Sequence, residues 1–580
     1  MRIIWRISFY FRKHRALFIL TLLLALVMTG AALAIPAVVR EVLERLEQGT
    51  DGKTFVLGAL AILGLQFCRE VFNCFRIRIN NTAEQRILAD IRKDLHERLL
   101  DLPLSFYDKR KSGEIASRVI DDVANVERAL LDGTEQGLSA VITLVGVVSL
   151  LFWINPLLAL GVCLPLPIVL IISIWYNSRL SKRWKGVREA AADLNSLLVE
   201  DIQGNRLIQS FALQSRERTR FKGKIADLAR QTLKAMFQWS VYSPGTSFIA
   251  SLGVISVFIF GGWMIAEQKA GFGFPDLVAF YMYAVMLYEP LSRMTMLNQL
   301  LAAGKASGNR VFEILDHPVD VASPEKPVPF PQGEITASLT NVTFAYDGRG
   351  DILKDFTLDI PSGKTTALVG HTGAGKTTVA ALLMRSYDVQ QGSVQLNGTD
   401  VRQFELSTLR QNIGHVAQDP FLFDGTVEEN LRLAKENATE EELRTALQSA
   451  AAWDFVSRLP EQLKTQIGEK GIRLSQGEKQ RLTIARVLLK NPRLVILDEA
   501  TASVDTITER QIQQALDNLR RDRTLLVIAH RLSTVRKADQ IVVLERGQIL
   551  EQGTHDELIA QGGHYAELWR HQSDVISDFE

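Results

Sequence analysis

Apolar and charged positions divide this chain into two halves with different periods. Residues 16–39 carry no charge, a run long enough for a helix to cross a hydrocarbon layer of about 30 Å. A second apolar run occupies 54–79, uninterrupted to Cys68 and then broken by Arg69 and Glu70. Residues 136–178 contain no charge at all, which is too long for one span, and the Asn155-Pro156 pair predicts a tight hairpin between spans at 136–154 and 156–177. Further runs at 240–266 and 275–297 complete six. One such run could be a buried core helix, but the series predicts membrane spans. Beyond residue 334 the pattern changes to short β-branched strands alternating with amphipathic helices, as in a soluble α/β domain. Pro324, Pro327, Pro329 and Pro331 mark an extended linker between the halves. The expected organisation is an amphipathic elbow at 1–15, a membrane domain at 16–318, a linker at 319–333, an α/β domain at 334–572 and a tail at 573–580.

Charge adds orientation. Basic residues concentrate in 1–15, 69–128 and 179–234, whereas the connections near 40–53, 155 and 267–276 hold few. The positive-inside rule therefore puts both termini in the cytoplasm, for a bacterial protein at the inner membrane. The first fifteen residues hold no acid and read as a helix on the membrane surface, anchored by Trp5, Phe9 and Phe11. The inner connections are longer than loops need to be and stay helical in character, so the spans are expected to continue into the cytoplasm. Each is punctuated, by Lys109 to Gly113 in the first and by Gly204 before Phe211 in the second, where turns would present short transverse helices. Basic and acidic residues number 66 and 65, so no global field points to nucleic acid. The three cysteines, Cys68, Cys74 and Cys163, suggest packed apolar thiols rather than a disulfide framework or a zinc site.

The chemistry centres on Gly370-His371-Thr372-Gly373-Ala374-Gly375-Lys376-Thr377, followed by Thr378. It fits G-x-x-x-x-G-K-[ST] between a short strand and a helix, where glycines admit phosphate oxygens close to the backbone and the helix N-terminus favours an anion. Lys376 supplies a point charge for the terminal phosphates and Thr377 a hydroxyl for Mg²⁺. The run 493–498 reads as a buried parallel strand ending in Asp498, and Glu499 after it can polarise a water in line with the γ-phosphate. Ser475 is a candidate N-cap ahead of Gln476, Gly477 and Glu478, which makes a second anion site.

With these motifs the chain resembles an ATP-binding cassette (ABC) exporter of the half-transporter type, similar to multidrug and lipid A exporters, and the resemblance runs over nearly the whole chain. It implies a membrane α-helical domain with six transmembrane helices extended into the cytoplasm, fused to a C-terminal α/β P-loop nucleotide-binding domain. Tyr346 then matches the residue that stacks on adenine, and Gln418 the glutamine that contacts Mg²⁺ and the attacking water. Ser475 to Glu478 match the signature that closes over ATP held by a second chain. Ser503 and Asp505 match the dimer-facing loop, and His530 the histidine that senses the γ-phosphate. Glu469 lies in an exporter-specific element that touches the inner loops, so Lys109, Gly113, Gly204, Phe211 and Glu469 are the expected coupling residues. The signature reads S-Q-G-E where S-G-G-Q is usual, which leaves open a related half-transporter as partner instead of a second copy.

The expected activity is ATP-driven export, or leaflet-to-leaflet translocation, of amphipathic hydrophobic compounds. The alternatives are a lipid A or phospholipid flippase of the same fold, or a non-pumping ATP-gated channel or regulator. Charges at membrane depth usually face a cavity, and here they are Arg69, Glu70, Arg76, Glu289 and Arg293. Their mixed sign favours amphipathic or cationic compounds over a phosphorylated lipid, which would suit clustered arginines. Pairing of these charges across helices is the competing reading.

Overall fold

The computed structural model describes residues 6, 10, 12–49, 52–268, 271–348, 350–498, 506–520, 523–529 and 535–577. Trp5, Phe9 and Phe11 of the expected surface helix lie outside them. Two compact units emerge, one of Met1–Leu100 with Lys111–His317, the other of Asp101–Arg110 with Pro318–Glu580.

The first unit is helical. Its elements are α1 (Arg15–Glu47) and α2 (Gly52–Asp101), then, after the short helix α3 (Leu104–Asp108) of the other unit, α4 (Ser112–Ser117) and a π-helical turn Arg118–Asp122 leading into α5 (Val123–Ile154). There follow α6 (Pro156–Cys163), α7 (Pro165–Gln203), α8 (Asn205–Ser210), α9 (Gln214–Ala266) and α10 (Phe274–Leu315). Among the described residues, five stretches are long and apolar enough to cross a membrane: Arg15–Glu47, Phe55–Asp101, Ser112–Ile154, Pro156–Tyr176 and Gln214–Ala266. The sixth expected span falls on α10, where Asp276, Glu289 and Pro290 dilute the apolar character. The hairpin at Asn155-Pro156 has a local cause. The Asn155 carboxamide oxygen accepts from the Leu157 and Leu158 N–H groups, both at 3.1 Å, while Pro156 occupies the first helical turn, where its missing N–H costs nothing.

Helices α5 and α10 pack closely. A Cβ on Gly304 of α10 would come within 2.1 Å of the Ala129 Cβ on α5. Just before α5, Asp122 accepts from Ser307 at 2.8 Å and from Arg310 at 2.7 and 2.5 Å, so a buried carboxylate ties the two helices where a π-turn opens the backbone ladder. Val147, Leu151, Leu158, Val257, Phe280 and Leu287 fill the core between α5, α6, α9 and α10. By contrast, Phe55, Leu57, Leu63 and Phe67 on α2 are more than half exposed within the chain, as a lipid-facing surface requires. The cysteine expectation is corrected by this same surface: Cys68 and Cys74 are exposed and Cys163 is half-buried, because α2 carries its apolar residues on faces that this chain does not cover.

In the second unit, β1 (Ala337–Phe344), β2 (Leu353–Ile360), β4 (Gln391–Leu396) and β5 (Thr399–Asp400) form an antiparallel sheet in the order β2-β1-β4-β5. The larger sheet runs β10-β9-β3-β8-β7-β6, from β3 (Thr365–Val369), β6 (Ile413–Val416), β7 (Leu494–Asp498), β8 (Thr524–Ile528), β9 (Gln540–Glu545) and β10 (Gln548–Gly553). Strands β3, β7 and β8 are buried at every residue, which is why they read as continuous apolar runs rather than alternating ones. Leu339, Phe356, Leu368, Ile496 and Leu526 belong to one core cluster of this unit, and Val416, Leu447, Phe455, Ile484 and Val495 to the other. The proline-rich stretch 319–333 is strapped to this unit rather than free. Val328 N–H donates to the Gln403 carbonyl at 2.9 Å, Arg385 to the Ala322 carbonyl at 2.9 Å, and Phe330 packs on Phe404 at 5.3 Å. The last helix, His564–Ser577, continues into the segment expected as a tail.

Gly304→Val should separate α5 from α10. The expected result is a thermal midpoint in detergent several degrees below that of the parent, for an overpacking cost of about 1–3 kcal/mol, read by tryptophan fluorescence.

Candidate functional site

The loop after β3 takes a shape that only glycines allow. Gly370, Gly373 and Gly375 have φ of +148°, +86° and +107°, and a Cβ on Gly370 would meet the Leu544 carbonyl oxygen at 2.2 Å. The backbone of this loop, including the exposed His371 and Thr372, closes a turn through an Ala374 N–H to His371 carbonyl bond of 3.1 Å. Lys376 is 5% exposed and arches back over the loop, donating to the carbonyls of Gly370 at 2.6 Å and His371 at 3.0 Å. It opens helix α11 (Lys376–Leu383), with the Thr377 side chain exposed and Thr378 buried. An ammonium fixed at the mouth of a glycine cradle, beside a helix N-terminus, is an anion site.

Strand register gathers the rest. Ala367 pairs with Val527, Val527 with Leu497, and Leu497 with Val416, all parallel. The residues just beyond these, Gly370 after β3, Asp498 at the end of β7 and Gln418 after β6, therefore emerge at one carboxyl edge of the sheet, where open α/β sheets bind ligands. Asp498 is 8% exposed there, and Gln418 is exposed. Glu499, Ser503, Asp505 and His530 lie outside the described residues.

Two side chains that sequence reasoning missed hold the loop after Gln418. Asn430, buried, accepts from the Phe423 N–H at 2.9 Å and donates to the Phe423 carbonyl at 3.0 Å. Arg486 donates to the carbonyls of Phe421 at 2.8 Å and Asn430 at 2.7 Å, and burial pulls its guanidinium pKa down to about 10. Arg486 lies on α12 (Gln476–Lys490), the helix that Ser475 caps. The cap is reciprocal. Glu478 N–H donates to Ser475 Oγ at 3.4 Å, while the Glu478 carboxylate takes the Ser475 N–H and hydroxyl, each at 2.8 Å. The departure from S-G-G-Q at position 478 thus has a local structural role, with Gly477 buried behind it.

Tyr346 stands edge-on to Phe344 at 5.0 Å and to Tyr387 at 5.1 Å, with its hydroxyl 3.3 Å from Thr378 Oγ1. Tyr387 in turn donates to Asp108 of α3, and burial together with that bond raises the phenol pKa. Next to it Lys109 donates to Asp347 at 2.6 Å, and this bond holds the Asp347 carboxyl below the usual carboxylate range. The Asp101–Arg110 segment is thereby tied to the adenine-stacking candidate inside one unit. Of the other coupling candidates, Gly113 lies in the first turn of α4, Gly204 ends α7, Phe211 caps α8 at 68% exposure, and Glu469 begins a short turn, Glu469–Gly471.

Four of the five membrane-depth charges line one cavity of about 890 Å³ in the helical unit: Arg69, Glu70, Arg76 and Glu289. The Arg293 side chain lies outside the described ones. Asn73, Asp132 and Glu135 share the cavity, and Arg76 pairs with Glu135. Sequence reasoning missed these acids because they precede the uncharged run of the third span. Their spacing of three puts them on one helical face, which is the signal that could have found them.

Comparison with known proteins bears on both halves. Residues 18–291 match the family model for the ABC transporter transmembrane region, and residues 353–502 that for the ABC transporter. The ATP-dependent lipid A-core flippase of Syntrophus aciditrophicus (strain SB) is 35% identical, over 90% of this chain and 86% of its own. The fatty acid ABC transporter ATP-binding/permease protein of Mycobacterium bovis (strain ATCC BAA-935 / AF2122/97) is 36% identical, over 90% and 82%. Among solved structures, a bacterial Atm1-family ABC exporter with ATP bound aligns with a TM-score of 0.83 at 27% identity, over 96% of this chain and 98% of that one.

Gly370→Ala should strain the loop and push a methyl into the Leu544 carbonyl. ATP affinity, measured with a fluorescent nucleotide, is expected to fall about ten- to hundredfold while the fold survives.

Proposed function

The chain belongs to the ABC transporter family, and we propose that two chains clamp ATP between them and convert that closure into alternating exposure of a membrane cavity. ATP hydrolysis is coupled to transport, and the activity is ATP-driven export or leaflet-to-leaflet translocation by an integral membrane protein. The half-transporter architecture dimerises. The observation that carries this reading is the shared carboxyl edge of β3, β7 and β6, with the glycine loop, Asp498 and Gln418 at its end.

In this reading Tyr346 stacks on adenine, and the Gly370–Thr378 loop and Lys376 hold the phosphates. The donors available for Mg²⁺ are the Thr377 hydroxyl, the Asp498 carboxylate and the Gln418 carboxamide. All are hard oxygens, few in number, which suits an ion that keeps waters and substrate phosphates as its other ligands. The ion would neutralise phosphate charge. Glu499 orients and polarises the attacking water, His530 contacts the γ-phosphate, and Ser475 to Glu478 come from the second chain, with Ser503 and Asp505 at the dimer interface. Lys109, Gly113, Gly204, Phe211 and Glu469 transmit closure to the helices. The partner is a second copy, or a related half-transporter if Glu478 beside the γ-phosphate makes one site unequal. The protein sits in the bacterial inner membrane with both termini cytoplasmic.

The cargo is an amphipathic hydrophobic compound of multidrug type, a reading supported by a cavity with apolar and charged walls. A lipid flippase is the second reading, favoured by the relative named for lipid A-core. Glu499→Gln tests the cycle. It should bind ATP with parental affinity while turnover falls about a hundred- to ten-thousandfold, as for loss of a general base. Parental hydrolysis in that variant, measured as phosphate release from the reconstituted protein, would remove Glu499 from its role.

A further inference from the structure

The cap at the start of α12 engages the same groups that a phosphate held by a second chain would need. Ser475 is exposed, with Gly477 buried behind it and Glu478 half-buried one turn on. A serine hydroxyl has one proton, and here it goes to Glu478 Oε2 at 2.8 Å. The same carboxylate oxygen takes the Ser475 N–H at 2.8 Å, and Ser475 Oγ accepts the Glu478 N–H at 3.4 Å. Donor and acceptor of this side chain are therefore both committed within one turn. Glu478 forms no ion pair among the described residues, so its charge is met by Ser475 and by the positive end of the helix alone.

A glutamine at 478, as in the usual S-G-G-Q, would close the same cap and offer a different surface. Its carboxamide oxygen can accept the Ser475 N–H, but a neutral acceptor holds the hydroxyl proton only about half as strongly as a carboxylate. Its nitrogen brings two donors to an anion, where a carboxylate brings a charge that repels one. Residue 478 thus decides what an arriving phosphate meets. With glutamine it meets donors; with glutamate it meets an anion already seated.

We propose that Glu478 tunes the clamp: its carboxylate competes with the γ-phosphate on the other chain for the Ser475 hydroxyl and so weakens the closed state. This role deepens the two-chain reading above and rests on it. Ser475 reaches the phosphate by rotating its hydroxyl away from Glu478 Oε2, with no proton transferred. Two anions then face each other across one serine, and more ATP is needed to hold the chains closed.

The test compares the parent with Glu478→Gln, Glu478→Ala and Ser475→Ala, each full length in nanodiscs, by phosphate release over a range of ATP concentrations. Glu478→Gln should lower the ATP concentration for half-maximal turnover about three- to tenfold, and most of that gain should vanish once Ser475→Ala is added. Raising the salt should narrow the gap between parent and Glu478→Gln, because screening weakens the repulsion. A purely structural cap predicts parental values for Glu478→Gln and a loss only in Glu478→Ala. That pattern, with Ser475→Ala impaired, overturns the role of Glu478 and leaves the clamp standing. An ATP dependence that neither Ser475→Ala nor Glu478→Gln alters overturns the two-chain clamp, and the role of Glu478 with it.

Discussion

The parallel register of four strands is the constraint on which the nucleotide site depends. Ala367, Val527, Leu497 and Val416 lie in one row across β3, β8, β7 and β6. A slip of one residue in any pair would turn the apolar side chains of that strand to the wrong face. Because every residue of the three central strands is buried, such a slip would exchange the side chains packed on the two faces, and the resulting voids and overlaps would cost several kcal/mol. The same packing that stabilises the sheet thus fixes how far apart the phosphate loop, Asp498 and Gln418 can be. Side chains set in loops gain precision from a scaffold they do not themselves build.

Those loops are in turn held by buried polar groups rather than by apolar packing. Asn430 and Arg486 satisfy the backbone between Gln418 and Thr426, and the Glu478 carboxylate closes the cap on α12. Each is a case in which the backbone of an irregular segment must find partners once water is excluded. Proline-rich residues 319–333 follow the same rule, since their backbone and Phe330 are tied down by Gln403, Arg385 and Phe404. What composition reads as a tether is, in the folded unit, a strap.

In the helical unit the medium imposes the order. With lipid as solvent, apolar faces need no covering by the chain itself, so Phe55, Leu57 and Phe67 stay exposed together with Cys68 and Cys74. Polar side chains carry the cost instead and turn toward each other or toward a cavity. Asp122 binds Ser307 and Arg310 across α5 and α10, while Arg69, Arg76 and their acids collect around one chamber. Of these charges, Arg76 pairs across helices with Glu135, whereas Arg69 pairs with Glu70 on its own helix, and all four line the one cavity.

The sequence by itself determined the elements and the chemistry that depends on local spacing. The uncharged runs, the Asn155-Pro156 break, the glycine loop and the Ser475 cap are all written in contiguous residues, because turns, caps and spans answer to neighbours within a few positions. It also picked Arg69, Glu70, Arg76 and Glu289 as cavity candidates from their depth alone. Only the tertiary structure decided which way each helix turns its faces. That choice puts Asp132 and Glu135 beside Arg76, leaves Cys68 and Cys74 exposed while Cys163 packs against the helical core, and joins Tyr346 through Tyr387 to Asp108. Helix rotation and strand order are set by packing between segments tens to hundreds of residues apart, and no local pattern encodes them.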